Sequence, residues 1–106
     1  MVALYLIKNE LKKISKLDTI NKVVFDVNYN EKQFILTINE IKVDNIKFKE
    51  ITNYSEMFLK ILKNKINFEE IYKLILSIDF KTKKTNVECY VSIDKELKKI
   101  VTEIKL

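Results

Sequence analysis

The chain reads as an α+β domain: an antiparallel sheet of two or three hairpins with about three helices packed on it, in the order α-ββ-(ββ)-α-ββ-α. Three observations carry this reading. Lys73–Asp94, KLILSIDFKTKKTNVECYVSID, holds two segments of strict apolar alternation around a polar, lysine-rich link. Lys22–Ile38 repeats that pattern on a smaller scale, and three other stretches carry apolar residues at helical spacing. The chain has 106 residues with no Gly and no Pro, so no linker divides it and residues 1–106 are expected to form a single compact domain.

The first helix is expected from Leu4 to Leu17, where Leu4, Ile7, Leu11 and Ile14 form one stripe and Asp18-Thr19 breaks it. Val23, Phe25, Val27 and Tyr29 then share one strand face, and Phe34, Leu36 and Ile38 answer them across a polar link. A two-residue turn at Asn30-Glu31 pairs Val27 with Phe34 and Phe25 with Leu36, and a four-residue loop shifts the pairing by two without changing faces. After Asn39-Glu40 the apolar positions change parity, to Ile41 and Val43, which implies a bulge or a turn there. A reversal at Asp44-Asn45 predicts a short third hairpin, with Val43 facing Ile46 and Ile41 facing Phe48.

Asn53 with Glu56 forms a capping pattern ahead of Phe58, Ile61 and Leu62, predicting a helix from Tyr54 to Lys65. Asn67–Glu70 repeats the pattern, so a short helical turn is expected before the last hairpin, with Glu69-Glu70 placed for the helix dipole rather than for catalysis. If that hairpin turns at Lys83-Lys84, Phe80 faces Val87, Ile78 faces Cys89, Leu76 faces Val91 and Leu74 faces Ile93. Asp94 caps a final helix with Leu97, Ile100, Val101 and Ile104 on its apolar face. KVVFDVNYN at Lys22–Asn30 and KLILSIDFK at Lys73–Lys81 share their alternation and an upstream helix. Both an αββ duplication and the chance likeness of short alternating strands account for this.

Composition removes several classes of function. There is no His and a single Cys, so neither zinc sites of the ordinary nitrogen and sulfur type nor a His-based triad can be built. Cys89 falls in the inward row of a strand, where burial rather than reactivity is expected. Without Gly the phosphate-cradling loops of nucleotide enzymes are missing. No catalytic residue, metal or cofactor is therefore expected, and the chain is read as a binding protein rather than an enzyme. No apolar run reaches the ~20 residues that a membrane-spanning helix needs. Met1–Ile7 lacks the basic leader and small-residue cleavage pattern of a signal peptide, so a cytoplasmic location is expected and no membrane partner.

The pairing that buries Leu76 and Ile78 sets Asp79 opposite Glu88 on the other face, with Ser77 opposite Tyr90; Asp26 holds the comparable place in the first hairpin. Facing carboxylates repel, which calls for a compensating cation: a lysine of the chain, a metal ion or a partner's basic group. The same face carries Val24, Ile35, Ile75 and Tyr90. A solvated outer face screened by lysines is one reading; a protein-binding face using Asp26, Asp79, Glu88 and Tyr90 is the other. The net charge of +5 comes entirely from Lys and raises nucleic acid as a partner, through Lys81, Lys83 and Lys84 at the hairpin tip. Interspersed acids and the absence of Arg weigh against it.

The order of helix, hairpin, helix, hairpin, with KVVFDVNY early and LILSIDFKTKKTNVECYV late, resembles the small polymorphic-toxin immunity proteins of the YezG-like type. This resemblance implies a bacterial cytosolic protein that binds and neutralises a cognate toxin. Taken with the lack of a catalytic inventory, it makes an immunity protein or inhibitor the expected function. A phage-encoded inhibitor of a host defence complex fits the same residues.

Overall fold

A computed structural model of the chain describes residues 2–44 and 46–104, without the side chains at 2–4, 6, 14, 50, 51, 54, 55 and 57. The elements run α1 (Val2–Ser15), β1 (Lys22–Asn28), β2 (Gln33–Ile38), β3 (Ile41–Val43), α2 (Phe48–Lys65), β4 (Glu70–Asp79), β5 (Lys84–Ile93) and β6 (Glu96–Ile104). All six strands form one sheet in the order β3-β2-β1-β4-β5-β6, and every pairing is antiparallel.

The order is αβββ written twice, and the two copies are related by an approximate two-fold axis between β1 and β4. Residue n of the first hairpin matches residue n+51 of the second. In the β1–β4 ladder Phe25 faces its own equivalent, Leu76. At the two ends of that ladder Tyr29 N donates to Tyr72 O and Phe80 N donates to Asn21 O, each at 2.9 Å, a pair of bonds that the axis interchanges. The hairpin registers agree as well: Val27 faces Phe34 in the first and Ile78 faces Thr85 in the second.

Both hairpins turn through four residues, and the same device closes each. Asn28 Oδ1 accepts from Glu31 N at 3.0 Å, and Asp79 Oδ1 accepts from Lys81 N at 2.9 Å and Thr82 N at 3.2 Å. These side chains stand in for a turn carbonyl. Lys32 and Lys83 then take φ of 54° and 60°. The first hairpin keeps the pairing of Val27 with Phe34 expected for a two-residue turn, although its loop has four residues. The second is displaced: because Asp79 closes the turn early, Leu74 faces Cys89 and Leu76 faces Val87, so the pairing of Leu76 with Val91 and of Ile78 with Cys89 does not form. The shift is even, so inward and outward faces are unchanged.

Both helices lie on the face that carries Val23, Phe25, Val27, Leu74, Leu76 and Ile78. Ile7 and Leu11 of α1 and Phe58 and Leu62 of α2 close the core over it. Each fully buried large apolar side chain contributes about 1.5–3 kcal/mol relative to exposure. Phe48 anchors the start of α2 on the first hairpin, with ring centroids 6.3 Å from Tyr29 and 6.1 Å from Phe34. That contact extends α2 upstream of the expected start, so Asn53 lies inside the helix rather than capping it. α1 ends where Lys16 turns to φ 59° and its N–H bonds Lys12 O. Of its predicted stripe, the side chains of Leu4 and Ile14 lie outside the described ones.

Three expectations are corrected. The segment after Asp94 is strand β6, not a third helix, so the fold holds two helices among the described residues. Asp94 and Lys95, at φ 52° and 66°, make a two-residue turn that delivers the chain alongside β5, and the β-branched run Ile100, Val101, Thr102 and Ile104 suits a ladder. The third hairpin does not form: Asn39-Glu40, at φ 50° and 68°, turns β2 into β3, after which the chain enters α2. The reversal expected at Asp44-Asn45 falls partly outside the described residues, since Asn45 is not among them. Glu69-Glu70 begins no helix. Glu70 opens β4, and Glu69 Oε1 accepts from Lys95 N at 3.2 Å, tying down the β5–β6 turn.

The turns carry the cost of a chain without glycine. Among the described residues seven non-glycine residues have positive φ, among them both central residues of each two-residue turn. Lys95→Gly and Glu40→Gly are each expected to stabilise the protein by about 1 kcal/mol, read as a higher urea midpoint at an unchanged slope.

Candidate functional site on the open sheet face

With both helices on one side, the other face of the sheet is uncovered among the described residues. Its central row runs Ile35, Asp26, Ile75, Glu88 and Val101 across β2, β1, β4, β5 and β6. The neighbouring row runs Gln33, Asn28, Lys73, Tyr90 and Lys99. Apolar and ionised groups thus alternate across the sheet. The ionised ones are paired between rows: Lys73 Nζ lies 3.8 Å from Asp26 Oδ1, and Lys99 Nζ lies 2.6 Å from Glu88 Oε1. The Glu88 hydrogen bond and charge hold the Lys99 ammonium above its usual pKa, and the same ammonium sits 6.0 Å from the Tyr90 ring centroid.

Of the four residues proposed for partner binding, the fold brings three together. Asp26 and Glu88 flank Ile75 in one row, and Tyr90 lies two residues from Glu88 on the same strand. Asp79 is separated from them. It faces Lys84 and Lys22 at the end of the sheet, so the predicted clash of Asp79 with Glu88 does not exist. Each carboxylate already has a lysine beside it, and the argument for an external cation falls away. Among the described residues no group of three or more His, Cys, Asp or Glu side chains could hold a metal ion.

The lysine beside Glu88 lies in the segment expected to be helical; with β6 a strand, Lys99 stands directly opposite Tyr90. Leu97 and Val101 were misplaced for the same reason. They join the open face at 66% and 68% exposure, with Ile35 at 47%. An antiparallel sheet with one solvated face normally alternates apolar inside and polar outside. Here Val24, Ile35, Ile75, Tyr90, Leu97 and Val101 depart from that rule.

Two shallow depressions mark this face, and the two-fold axis relates them. The larger, about 430 Å³, is lined by Asp26, Asn28, Lys32, Gln33, Phe34, Ile35 and Lys73. The smaller, about 250 Å³, is lined by Lys22, Ser77, Asp79, Thr82, Lys84 and Asn86. Asp26 matches Ser77, Asn28 matches Asp79, Gln33 matches Lys84, Ile35 matches Asn86 and Lys73 matches Lys22. The copies have diverged in chemistry: the first keeps apolar groups beside its ion pair and borders the row of Tyr90, while the second is polar throughout.

The charge is unevenly spread. Lys22, Lys42, Lys73, Lys84 and Lys99 on the open face are balanced by Asp26, Glu70, Asp79, Glu88 and Glu103. Residues 2–16 and 47–65, which contain both helices, hold Lys8, Lys12, Lys13, Lys16, Lys47, Lys49, Lys60, Lys63 and Lys65 against Glu10, Glu50 and Glu56. The surplus that raised nucleic acid as a partner therefore sits on the helical layer. At the hairpin tip Lys81 and Lys83 are exposed in the loop, but Lys84 is paired across the ladder with Asp79.

Cys89 is buried, and burial pushes its thiol pKa up. Thr85, four residues upstream on the inward face of the same strand, is also buried, and its hydroxyl finds no hydrogen-bond partner among the described residues. No helix among the described residues is long and apolar enough to cross a membrane. No family model, curated protein or solved structure matches the chain.

Asp79 gives a test of the turn device. The Thr82 N–H hydrogen bond, chiefly, holds its carboxyl below the usual carboxylate pKa against the opposing effect of burial, with the Lys81 N–H, the Thr82 hydroxyl and the Lys22 charge adding to it. A lowered folded pKa stabilises above the unfolded value and is lost as pH falls through the folded one. Asp79→Ala is thus expected to unfold at lower urea than the wild type at neutral pH, with the gap narrowing as pH falls through and below the usual carboxylate range. Asp79→Asn is expected to stay near the wild type, because Asn28 closes the equivalent turn.

Proposed function

We propose that this protein is a small non-catalytic inhibitor that neutralises a protein partner by direct contact through its open sheet face, most simply as the immunity protein of a cognate toxin. One observation carries the reading: the face opposite the helices is neither a solvated polar surface nor covered, and presents Ile35, Ile75, Tyr90, Leu97 and Val101 between ion pairs. Apolar anchors within a frame of charges are what a protein interface needs. The anchors supply affinity by desolvation, and the charges select the partner and its orientation.

The contact centres on the larger depression and the row beside it, with Asp26, Ile35, Glu88 and Tyr90 as its sequence-evident members and Lys73 and Lys99 added by the fold. Asp26 and Glu88 already hold lysines, so a partner's cations compete with Lys73 and Lys99 rather than fill a void. The Lys73–Asp26 pair, at 3.8 Å, exchanges more readily than the 2.6 Å Glu88–Lys99 pair. Asp79 is left to its turn. The resemblance to YezG-like immunity proteins points the same way, and a phage-encoded inhibitor of a host defence complex uses the same surface. Genomic neighbourhood separates the two: a toxin gene alongside favours immunity, a phage operon favours counter-defence.

Immobilised protein is expected to retain one partner in stoichiometric amount from its native host, and the purified pair to bind with an affinity that Ile35→Lys and Tyr90→Ala each lower at least about tenfold, as loss of an interface anchor does. Asp79→Asn leaves that affinity unchanged. A partner that binds both anchor variants as tightly as the wild type overturns the assignment to this face.

A second reading is favoured by the lysine surplus on the helical segments: a salt-sensitive, sequence-tolerant contact with nucleic acid through that layer. It predicts binding to a random oligonucleotide that weakens steeply with salt. No binding at low salt disposes of it.

A further inference from the structure

We infer that β6 is a homodimerisation edge, at which two copies of the chain join antiparallel into a single twelve-stranded sheet. β6 is a terminal strand of nine residues with no neighbour on its outer side among the described residues. The opposite edge, β3, has three. A strand of that length leaves a row of backbone donors and acceptors open, and proteins usually cover, shorten or disrupt such an edge.

The direction of that row follows from the ladder. Ser92 turns its carbonyl toward the β4 side, where Glu69 N donates to it at 2.8 Å, so the backbone of Ser92 does not bond β6. Its register partner Leu97, and with it Lys99, Val101 and Glu103, therefore direct their N–H and C=O groups outward. Only these residues can exchange hydrogen bonds with a second strand, and two copies of one strand must align them with each other.

Three registers pair at least three of these four residues, and the side chains choose among them. Setting Lys99 opposite itself places like charges together at the axis. Setting Lys99 opposite Val101 sets Leu97 against Glu103. Setting Val101 opposite itself puts Lys99 opposite Glu103 of the second copy, twice by symmetry, with an apolar pair at the centre. That register is self-complementary in charge and shape. Val101, 68% exposed, gains a partner, and Glu103 gains a cation. Lys98 projects to the helix side, where its side chain is exposed and stays solvated. Because β3 offers no comparable edge, the contact closes as a dimer and does not propagate.

Sedimentation velocity on the purified chain, over loading concentrations up to about 1 mM, is expected to show a reversible monomer–dimer equilibrium. Glu103→Lys, which sets lysine against lysine twice, is expected to raise the dissociation constant about tenfold or more with an unchanged circular dichroism spectrum. Val101→Cys is expected to be captured as a covalent dimer by a short bis-thiol reagent, with the buried Cys89 spared. A chain that stays monomeric throughout overturns the inference. So does a dimer unmoved by Glu103→Lys, or one in which Val101→Cys is not captured.

Discussion

The antiparallel pairing of β1 with β4 is the contact on which the rest of the molecule depends. Each αβββ half contributes a three-stranded sheet and one helix, too little to bury its own apolar face. Joined along β1 and β4, the halves make a six-stranded sheet on which both helices close a single core. Phe25 and Leu76 meet at the axis, fully buried, and the paired bonds of Tyr29 to Tyr72 and Phe80 to Asn21 pin the ends of the ladder. A slip of one residue there exposes the inward rows of both halves at once.

That arrangement also explains why one face has no helix on it among the described residues. Two helices suffice to cover one side of the sheet, and the approximate two-fold symmetry places both on the same side. The open face inherits two equivalent depressions but not two equivalent surfaces. Ile35 beside the Asp26–Lys73 pair has become Asn86 beside Ser77 and Lys22. In the second copy Asp79 has taken over the turn, a task Asn28 performs in the first without a charge. The two symmetry-related ends of the sheet thus differ in role, one stabilising its turn and the other carrying apolar anchors.

The absence of glycine has a consistent physical signature. Each change of direction needing a left-handed residue is made by Asn, Asp, Glu or Lys. Where strain is taken on, side-chain hydrogen bonds hold the chain. Asn39 accepts from Asn21 N at 2.8 Å and Lys22 N at 3.2 Å and donates to Thr19 O at 2.9 Å; Glu69 steadies the turn at Lys95. These polar clamps supply locally what glycine supplies through backbone freedom.

Much of this was legible before folding. Period-two alternation identified β1, β2, β4 and β5 and sorted their residues correctly between core and open face, because alternation depends on the pleat alone. The register of the first hairpin followed instead from a turn placed at Asn30-Glu31, since alternation alone leaves an even shift open. The second was displaced because Lys83-Lys84 looked like a turn centre, while the deciding bond is a carboxylate reaching backbone two and three residues ahead. The last strand was hidden altogether. Leu97, Ile100, Val101 and Ile104 satisfy a helical stripe and a half-exposed edge strand equally well, and only the ladder offered by β5 selects between them. With it came Lys99, Leu97 and Val101, and so the true electrostatics of the open face. Local periodicity determined which residues point inward; which carboxylate meets which lysine is a cross-strand property, and tertiary pairing alone decided it.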